Sequence, residues 1–495
     1  MHSSVPSSVD TPLIRTSHLG VMNKTLLFLA AGFGLLAAPA FGLTVDDAVQ
    51  QARAHNLGLQ TEDLKLAQKA DEKNFNFNRL YPTLSVSSTL LRLNQLNLNQ
   101  WQEVWPAIAN NLPANEGGGQ IPFSTFSASL TPDYNWIWSV GVNTQWVLNL
   151  AVFRGMTQTL IDYQTAKITR DAADAKLSRD VRKAFYQLLA LREATGVFES
   201  QLKVAEDRWK LAKFNFDAGL GSEIAALQAQ VTFMNRKPLL DDQRVTESTA
   251  QSGFRILLNL PDGAPLDLQG SLDVDPEIRK ALSAIDVDAL VKRFVDGRWD
   301  VGTAQGTAKS LDNLAKLQAD SLWPSLVFGW TADPSVQAPF LAATWNNPAL
   351  SQYNWAQTNG AFSVTLAWKL DGFLPGSTTG VEIAGRERAA KEAALGVQQT
   401  RQAGEAEIRT LVGRLKKSAV ALDSLSVALD LATRSSKLTE EGYQAGTQSF
   451  NDAQDADLQL QTARLQYLNE ELALQSTLAD LDYALAADRK DWLHG

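Results

Sequence analysis

The chain has 495 residues, 45% of them hydrophobic, with 54 acidic against 45 basic side chains and a formal net charge of −9. That balance excludes the broad basic face a nucleic-acid partner needs. The absence of cysteine excludes disulfides, a catalytic thiol, an iron–sulfur cluster and a lipidated N-terminal cysteine.

The first element is an export signal. Lys24 precedes the 13 uncharged residues 26–38, and Ala38, Ala40 and Gly42 supply small-residue cleavage sites. The apolar run is too short to span a bilayer as a helix. Residues 1–21 do not fit this order, so Met22 is the expected start of the signal, and residues 1–42 are set aside as extension and signal peptide. No later run reaches the roughly 20 apolar residues of a membrane helix. The mature protein is therefore either soluble outside the cytoplasm or inserted as a β-barrel.

The rest of the chain is a duplication. Val45 and Asp46 open a helical segment that runs to Leu80, Tyr81, Pro82, Thr83 and Leu84; 242 positions on, Val287 and Asp288 open one that runs to Leu322, Trp323, Pro324, Ser325 and Leu326. Phe216, Asp217, Ala218 and Gly219 return as Tyr443, Gln444, Ala445 and Gly446, 227 positions later. The first repeat is taken as 43–262, the second as 263–488, and 489–495 as a tail. The Pro261 to Pro265 stretch reads as the hinge between them.

Within each repeat the predicted order is shorter helices, a strand pair, a very long helix and a returning helix. Strands are predicted at about 84–97, 134–149, 325–332 and 355–370. In the second, Val140, Val142, Thr144, Trp146 and Leu148 alternate with Gly141, Asn143, Gln145 and Val147. In the fourth, Phe362, Val364, Leu366, Trp368 and Leu370 alternate with Ser363, Thr365, Ala367 and Lys369. Apolar outward and small or polar inward is the pattern of a membrane strand. Ten of the 13 tryptophans fall in or beside these segments, as an interfacial belt requires. A soluble β-domain with an aromatic core has the same period. Segments 98–133 and 333–352 are Gly-, Pro- and Asn-rich and read as turns outside the membrane.

The long helices are predicted at about 151–218 and 380–445. A heptad seam runs from Leu177, Val181, Ala184 and Leu188 to Ala212 and Phe216; its copy begins Leu411, Leu415, Ser418 and Leu422 and ends at Tyr443. A 3.5-residue repeat held this long imposes a left-handed supercoil. Gly219 and Gly446 are placed to end these helices in the left-handed backbone region. Ser222 and Ser449 follow as N-caps of return helices at about 223–259 and 450–487. Pro238 is expected to kink or break the first return helix, because it removes a backbone donor.

These features together resemble the TolC-like outer-membrane efflux protein family from Leu43 to about Asp488. The resemblance rests on the Leu43 to Ala48 opening, the two Leu-aromatic-Pro turns into strands and the two helix tips at 216–222 and 443–449. The fold class is then an internally duplicated α+β membrane protein, with antiparallel coiled-coil helices forming an α-barrel tunnel. Four strands cannot close a barrel, and lipid tolerates no open sheet edge, so copies must share strands. The resemblance implies that three copies do so, in a 12-stranded barrel. It also implies a location in the outer membrane with the tunnel in the periplasm, and a periplasmic adaptor and inner-membrane pump as partners.

No Walker loop, nucleophile elbow or metal-spaced histidine cluster occurs. An enzyme is not expected, and no cofactor or metal is called for. Asp452 and Asp455 share one helix face through their i, i+3 spacing, and the resemblance matches them to aspartates that line a narrowed periplasmic mouth. Acidic residues in a first turn also simply complement the helix dipole. Asp457 reads as a solvated charge. Tyr443 fits a tip-link position, whereas Gln448 and Ala225 stand where the family's charged latch pairs arginine with aspartate. The tip is therefore expected to be weakly latched. The surfaces around Gly219, Ser222, Gly446 and Ser449 are the expected adaptor contacts. The function expected is a passive export duct, the alternative a non-transporting trimeric stalk or adhesin with a barrel anchor. The cargo is not legible.

Overall fold

The computed structural model describes residues 42–92, 136–332, 335–337 and 360–493. The predicted signal peptide and most of the two predicted turn segments lie outside them. The helices are α1 (Val45–His55), α2 (Leu57–Asn74), α3 (Leu150–Asp217), α4 (Glu223–Leu258), α5 (Pro276–Ala284), α6 (Val287–Phe294), α7 (Trp299–Asp320), α8 (Thr378–Gln444), α9 (Phe450–Leu485) and α10 (Arg489–Leu493). The strands are β1 (Thr83–Arg92), β2 (Trp136–Leu148), β3 (Ser325–Ala332), β4 (Ser335–Gln337) and β5 (Gly360–Ala367). Among the described residues no helix is long and apolar enough to cross a membrane.

The sheet is antiparallel in the order β1-β2-β3-β5, with the short β4 pairing β2 beyond the end of β3. Val86 faces Val142, Trp146 faces Phe328 and Phe328 faces Val364. Because side chains alternate, this register gathers Leu84, Val86, Leu90, Val142, Trp146, Leu326, Phe328, Trp330, Phe362, Val364 and Leu366 on one face. Ser85, Ser87, Gly141, Asn143, Gln145, Gly329, Thr331, Ser363 and Thr365 share the other. The predicted fourth strand, 355–370, begins outside the described residues and runs past the C-terminal end of the observed one. The observed strand ends at Ala367, which pairs with Ser325, because β3 starts after Pro324 and offers Trp368 no ladder partner. Trp368 and Leu370 thus leave the sheet.

All the long helices depart from one end of the sheet. Asn149 caps α3 by accepting from the Val152 N–H at 3.0 Å, one residue after β2 ends. Ser377 caps α8 in the same way, accepting from Gly380 at 3.1 Å. At 68 and 67 residues, these helices extend about 100 Å at about 1.5 Å per residue. Near the sheet α2 and α7 pack against α3, and α7 also packs against α8; farther out α4 flanks α3, while α9 fills the space between α3 and α8.

The core is duplicated like the sequence. Val181, Phe185 and Leu188 on α3 pack with Phe254 and Leu258 on α4. Ile408, Val412 and Leu415 on α8 pack with Leu481 and Leu485 on α9, each 227 positions from its counterpart. Each such side chain contributes about 2 kcal/mol through burial. Even the helix ends correspond, since α4 and α9 finish on left-handed Asn259 (φ 53°) and Ala486 (φ 50°). The connector between repeats returns beside the chain start, where Leu43 N–H donates to Asp267 O and Gln269 N–H to Leu43 O.

Pro238 does not break α4, which runs uninterrupted from Glu223 to Leu258. Pro238 and Met234, whose carbonyl loses its donor, are both exposed. Phe233 and Leu240, buried on either side, hold the helix to its neighbours. Tertiary packing therefore outweighs the lost hydrogen bond.

Candidate functional site

The far end of the molecule is built by two tight helical returns. Gly219 and Gly446 adopt φ of +73° and +74°, a region a Cβ disfavours. Each is followed by a backbone bond that closes the helix end, Leu220 N–H to Asn215 O at 2.7 Å and Thr447 N–H to Gly442 O at 2.8 Å. Ser222 then accepts from Ala225 N–H at 3.2 Å and Ser449 from Asp452 N–H at 3.1 Å. All four of these residues are exposed. Beside them Leu220 is 79% and Ile224 68% exposed, and Ile224, Leu227, Val231 and Phe450 line a groove of about 390 Å³ between α4 and α9.

Asp452 completes a capping box. Ser449 donates its N–H to the Asp452 carboxylate at 3.1 Å and its hydroxyl at 2.7 Å. These bonds, first the hydroxyl and then the backbone, hold its carboxyl below the usual carboxylate range. Asp455 is exposed and makes no hydrogen bond or ion pair to the described residues. Ala453 and Ala456 are buried, so the two aspartates sit on the part of α9 turned away from its packing face. Tyr443 meets Phe450 edge to face at 6.2 Å. Burial raises its phenol, with Glu440 adding and Arg208 opposing.

Neither Ala225 nor Gln448 carries a charge, yet the helices near the tip are joined by one. Arg208 on α3, 8% exposed, hydrogen-bonds Glu440 on α8 through two nitrogens and pairs with Asp457 on α9 at 2.7 Å. Ser436 on α8 donates to the same Asp457 at 2.8 Å. Asp457 is thus a member of an interhelical ion network rather than a solvated charge. Its side chain lies on the face α9 turns towards α3 and α8, which spacing along one helix does not reveal. One layer farther from the tip, Arg236 of α4 donates to Gln201 of α3 and Gln461 of α9, both at 2.8 Å. Burial lowers the Arg236 guanidinium from its ordinary value, partly offset by Asp457. Two layers of polar contacts therefore bind the first hairpin to the second just above the returns. A buried serine on the α8 seam, Ser436, was the one available sign that something polar faced it.

At the opposite end the apolar sheet face is open to its surroundings. Phe362 is 70% exposed, and Leu84 and Leu366 are 69% exposed. β1 and β5 each have an unpaired edge within the described sheet. A contiguous run of exposed large apolar side chains marks a surface that meets lipid or another protein. Among the described residues no group of three potential metal ligands occurs.

Residues 48–248 match the family model for outer membrane efflux proteins. No curated protein matches the chain in sequence. Several solved channels share its fold. The outer membrane protein VceC of Vibrio cholerae aligns with a TM-score of 0.64 at 13% identity, over 90% of this chain and 96% of that one. The CmeC outer membrane channel of Campylobacter jejuni gives 0.64 at 14% identity, over 89% and 85%. The open state of the Neisseria gonorrhoeae MtrE outer membrane channel gives 0.62 at 17%, over 90% and 89%.

Proposed function

We propose, for a chain that resembles the outer membrane efflux proteins over residues 48–248 and has the fold of outer-membrane channels, that it is the outer-membrane exit duct of a tripartite efflux or secretion system. The observation that carries this is the sheet. One face is mainly apolar, broken by Ser88 and Thr144, the other is mainly small or polar apart from Val147 paired with Val327, and both edges are unpaired. Lipid on the first face and water on the second suit most of these side chains, and pairing β1 of one copy with β5 of the next satisfies the edges. An even number of strands per copy keeps such a ring antiparallel throughout.

The helices support the same closure. Val420, Val427, Leu431 and Leu438 form an exposed apolar stripe on α8, and Ile224, Leu227, Val231 and Val245 form one on α4. Those helices bound the outer half of the protomer on opposite sides. Docking the α8 stripe of one copy on the α4 stripe of its neighbour continues the coiled-coil packing around a ring. A homotrimer with a 12-stranded barrel is the assembly we assign, as the resemblance implies.

In that assembly solute enters at the helical tip and leaves through the barrel, passively, with energy from an inner-membrane pump. The exposed returns at Gly219, Ser222, Gly446 and Ser449 are the surface we assign to the periplasmic adaptor. Asp452 and Asp455 ring the mouth; an acidic ring favours cations and resists closure by self-repulsion. Arg208, Glu440 and Asp457 take the part of the latch absent at positions 225 and 448, with Tyr443 packed below them. Planar-bilayer conductance of the reconstituted protein tests the duct. Stepwise cation-selective conductance is expected, and a barrel-anchored stalk that conducts nothing would overturn it.

A further inference from the structure

Glu471 on α9 lies where the two apolar cores abut. Leu468 and Leu472 pack in the first-repeat core, Leu474 and Leu478 in the second. The carboxylic side chain between them belongs to a residue only 5% exposed. The titratable groups facing it come from each element packed there. Tyr467, one turn back on α9, favours the ionised carboxyl. Glu193 approaches from α3, and Asp273 from the connector that joins the repeats. Arg279 approaches from α5, but it is also drawn to Asp423 of α8 at 3.5 Å.

One turn further along α9 is Gln475, also 5% exposed. Its amide group donates to Leu272 O in the connector at 3.2 Å. Its side-chain oxygen is buried and has no donor. A buried acceptor without a partner destabilises the fold. Residues four apart on a helix are neighbours, and an ionised carboxylate has no proton to offer, whereas a protonated one does.

We propose that Glu471 is a proton-operated brace between the two repeats: protonated, it donates to the Gln475 side-chain oxygen and locks the connector onto α9; ionised, it repels Asp273 and Glu193 and loosens that crossing. The proton comes from solvent and returns to it, so no other reactant is needed. The chemistry of the pocket supports a change of state near neutrality. Burial first, then Asp273 and Glu193, push the Glu471 carboxyl up to about 7, against the pull of Tyr467 and Arg279. Burial also raises Glu193. Assembly into a ring can only bury the site further.

Infrared difference spectroscopy of the reconstituted full-length protein reads the proton directly. A carboxylic C=O band titrating with a midpoint of about 7 is expected in the wild type and absent from Glu471→Gln. Gln475→Leu, which removes the acceptor, should lower that midpoint by about one pH unit. Thermal stability should fall as pH rises from about 4.5 to about 7 and then level off. This follows because the folded pKa lies above the unfolded one and the penalty belongs to the charged form. Glu471→Gln should make that slope shallower, leaving the part due to Glu193 and Asp482, and be the more stable protein at about pH 8. A midpoint near the ordinary 4.5, or one that Gln475→Leu leaves unmoved, overturns the brace. If Glu471→Gln does not assemble, the wild type and Gln475→Leu still decide it.

Discussion

At the scale of single residues, the two returns and the network above them differ in how they are written. Gly219, Gly446, Ser222 and Ser449 were legible because a helix end is a local problem. Its free carbonyls and N–H groups are satisfied within a few residues, and only a few side chains do it well. Arg208 was not legible. Its partners Glu440 and Asp457 lie 232 and 249 positions away, and a charge on an amphipathic helix ordinarily reads as a solvated one. Arg208→Ala strands two partly covered carboxylates, and a loss of about 2 kcal/mol is expected in chemical unfolding. This is less than a fully buried pair would lose, since both acids keep some water. The same variant should conduct more often in planar bilayers, while Lys210→Ala, which touches only Glu206 on its own helix, should leave conductance unchanged. Ser222→Ala should cost about 1 kcal/mol, visible as faster amide exchange in the first turn of α4.

Among the elements, the long helices were written in plain terms by an absence of proline and an unbroken heptad. In α8 every seam residue from Leu411 to Tyr443 is buried or half-buried, and in α3 only Phe216 at the tip is exposed. Pro238 shows the limit of local rules, because the neighbours on both sides held a helix that propensity alone would interrupt. Pro238→Ala restores a backbone donor to Met234 O, and slower amide exchange over about one turn on its C-terminal side is expected. The junction between α7 and the long helices was not legible. A Cβ on Gly306 of α7 would meet Thr165 Oγ1 of α3 at 2.3 Å, so this glycine sets how closely the two helices approach. Gly306→Val should force them apart and lower the melting temperature. Gly196→Ala on α3, with open space around it, should raise stability slightly, since alanine is the better helix former. The duplicated junctions also use different side chains for one task. Asn56 donates to Leu257 O at 3.1 Å in the first repeat and Arg298 to Ala484 O at 3.2 Å in the second.

For the whole molecule, the decisive feature is the two-faced sheet at one end of a 68-residue helix. Val364→Arg puts a charge on the apolar face, and about 2–4 kcal/mol of insertion free energy should be lost at mid-bilayer depth, seen as failure to assemble in the membrane. Thr365→Arg, one residue on, faces the other side. That variant should assemble normally and shift ion selectivity away from cations. Opposite outcomes from adjacent residues follow from the two-residue period of a strand. If both variants assembled alike, the two faces would not be lipid and lumen.

The sequence by itself determined the duplication, the long coiled helices, the returns that end them and the alternating strands. All of these arise from periodicity and from backbone preferences acting over a few residues. Tertiary structure alone decided the persistence of α4 through Pro238 and what crosses between the repeats: the Arg208 network, the close approach at Gly306, and the buried carboxyl of Glu471 between two cores. Each depends on groups distant along the chain being brought together, from α3 beside α4 to partners more than two hundred residues apart, and the register of one helix against another is not encoded in either one alone.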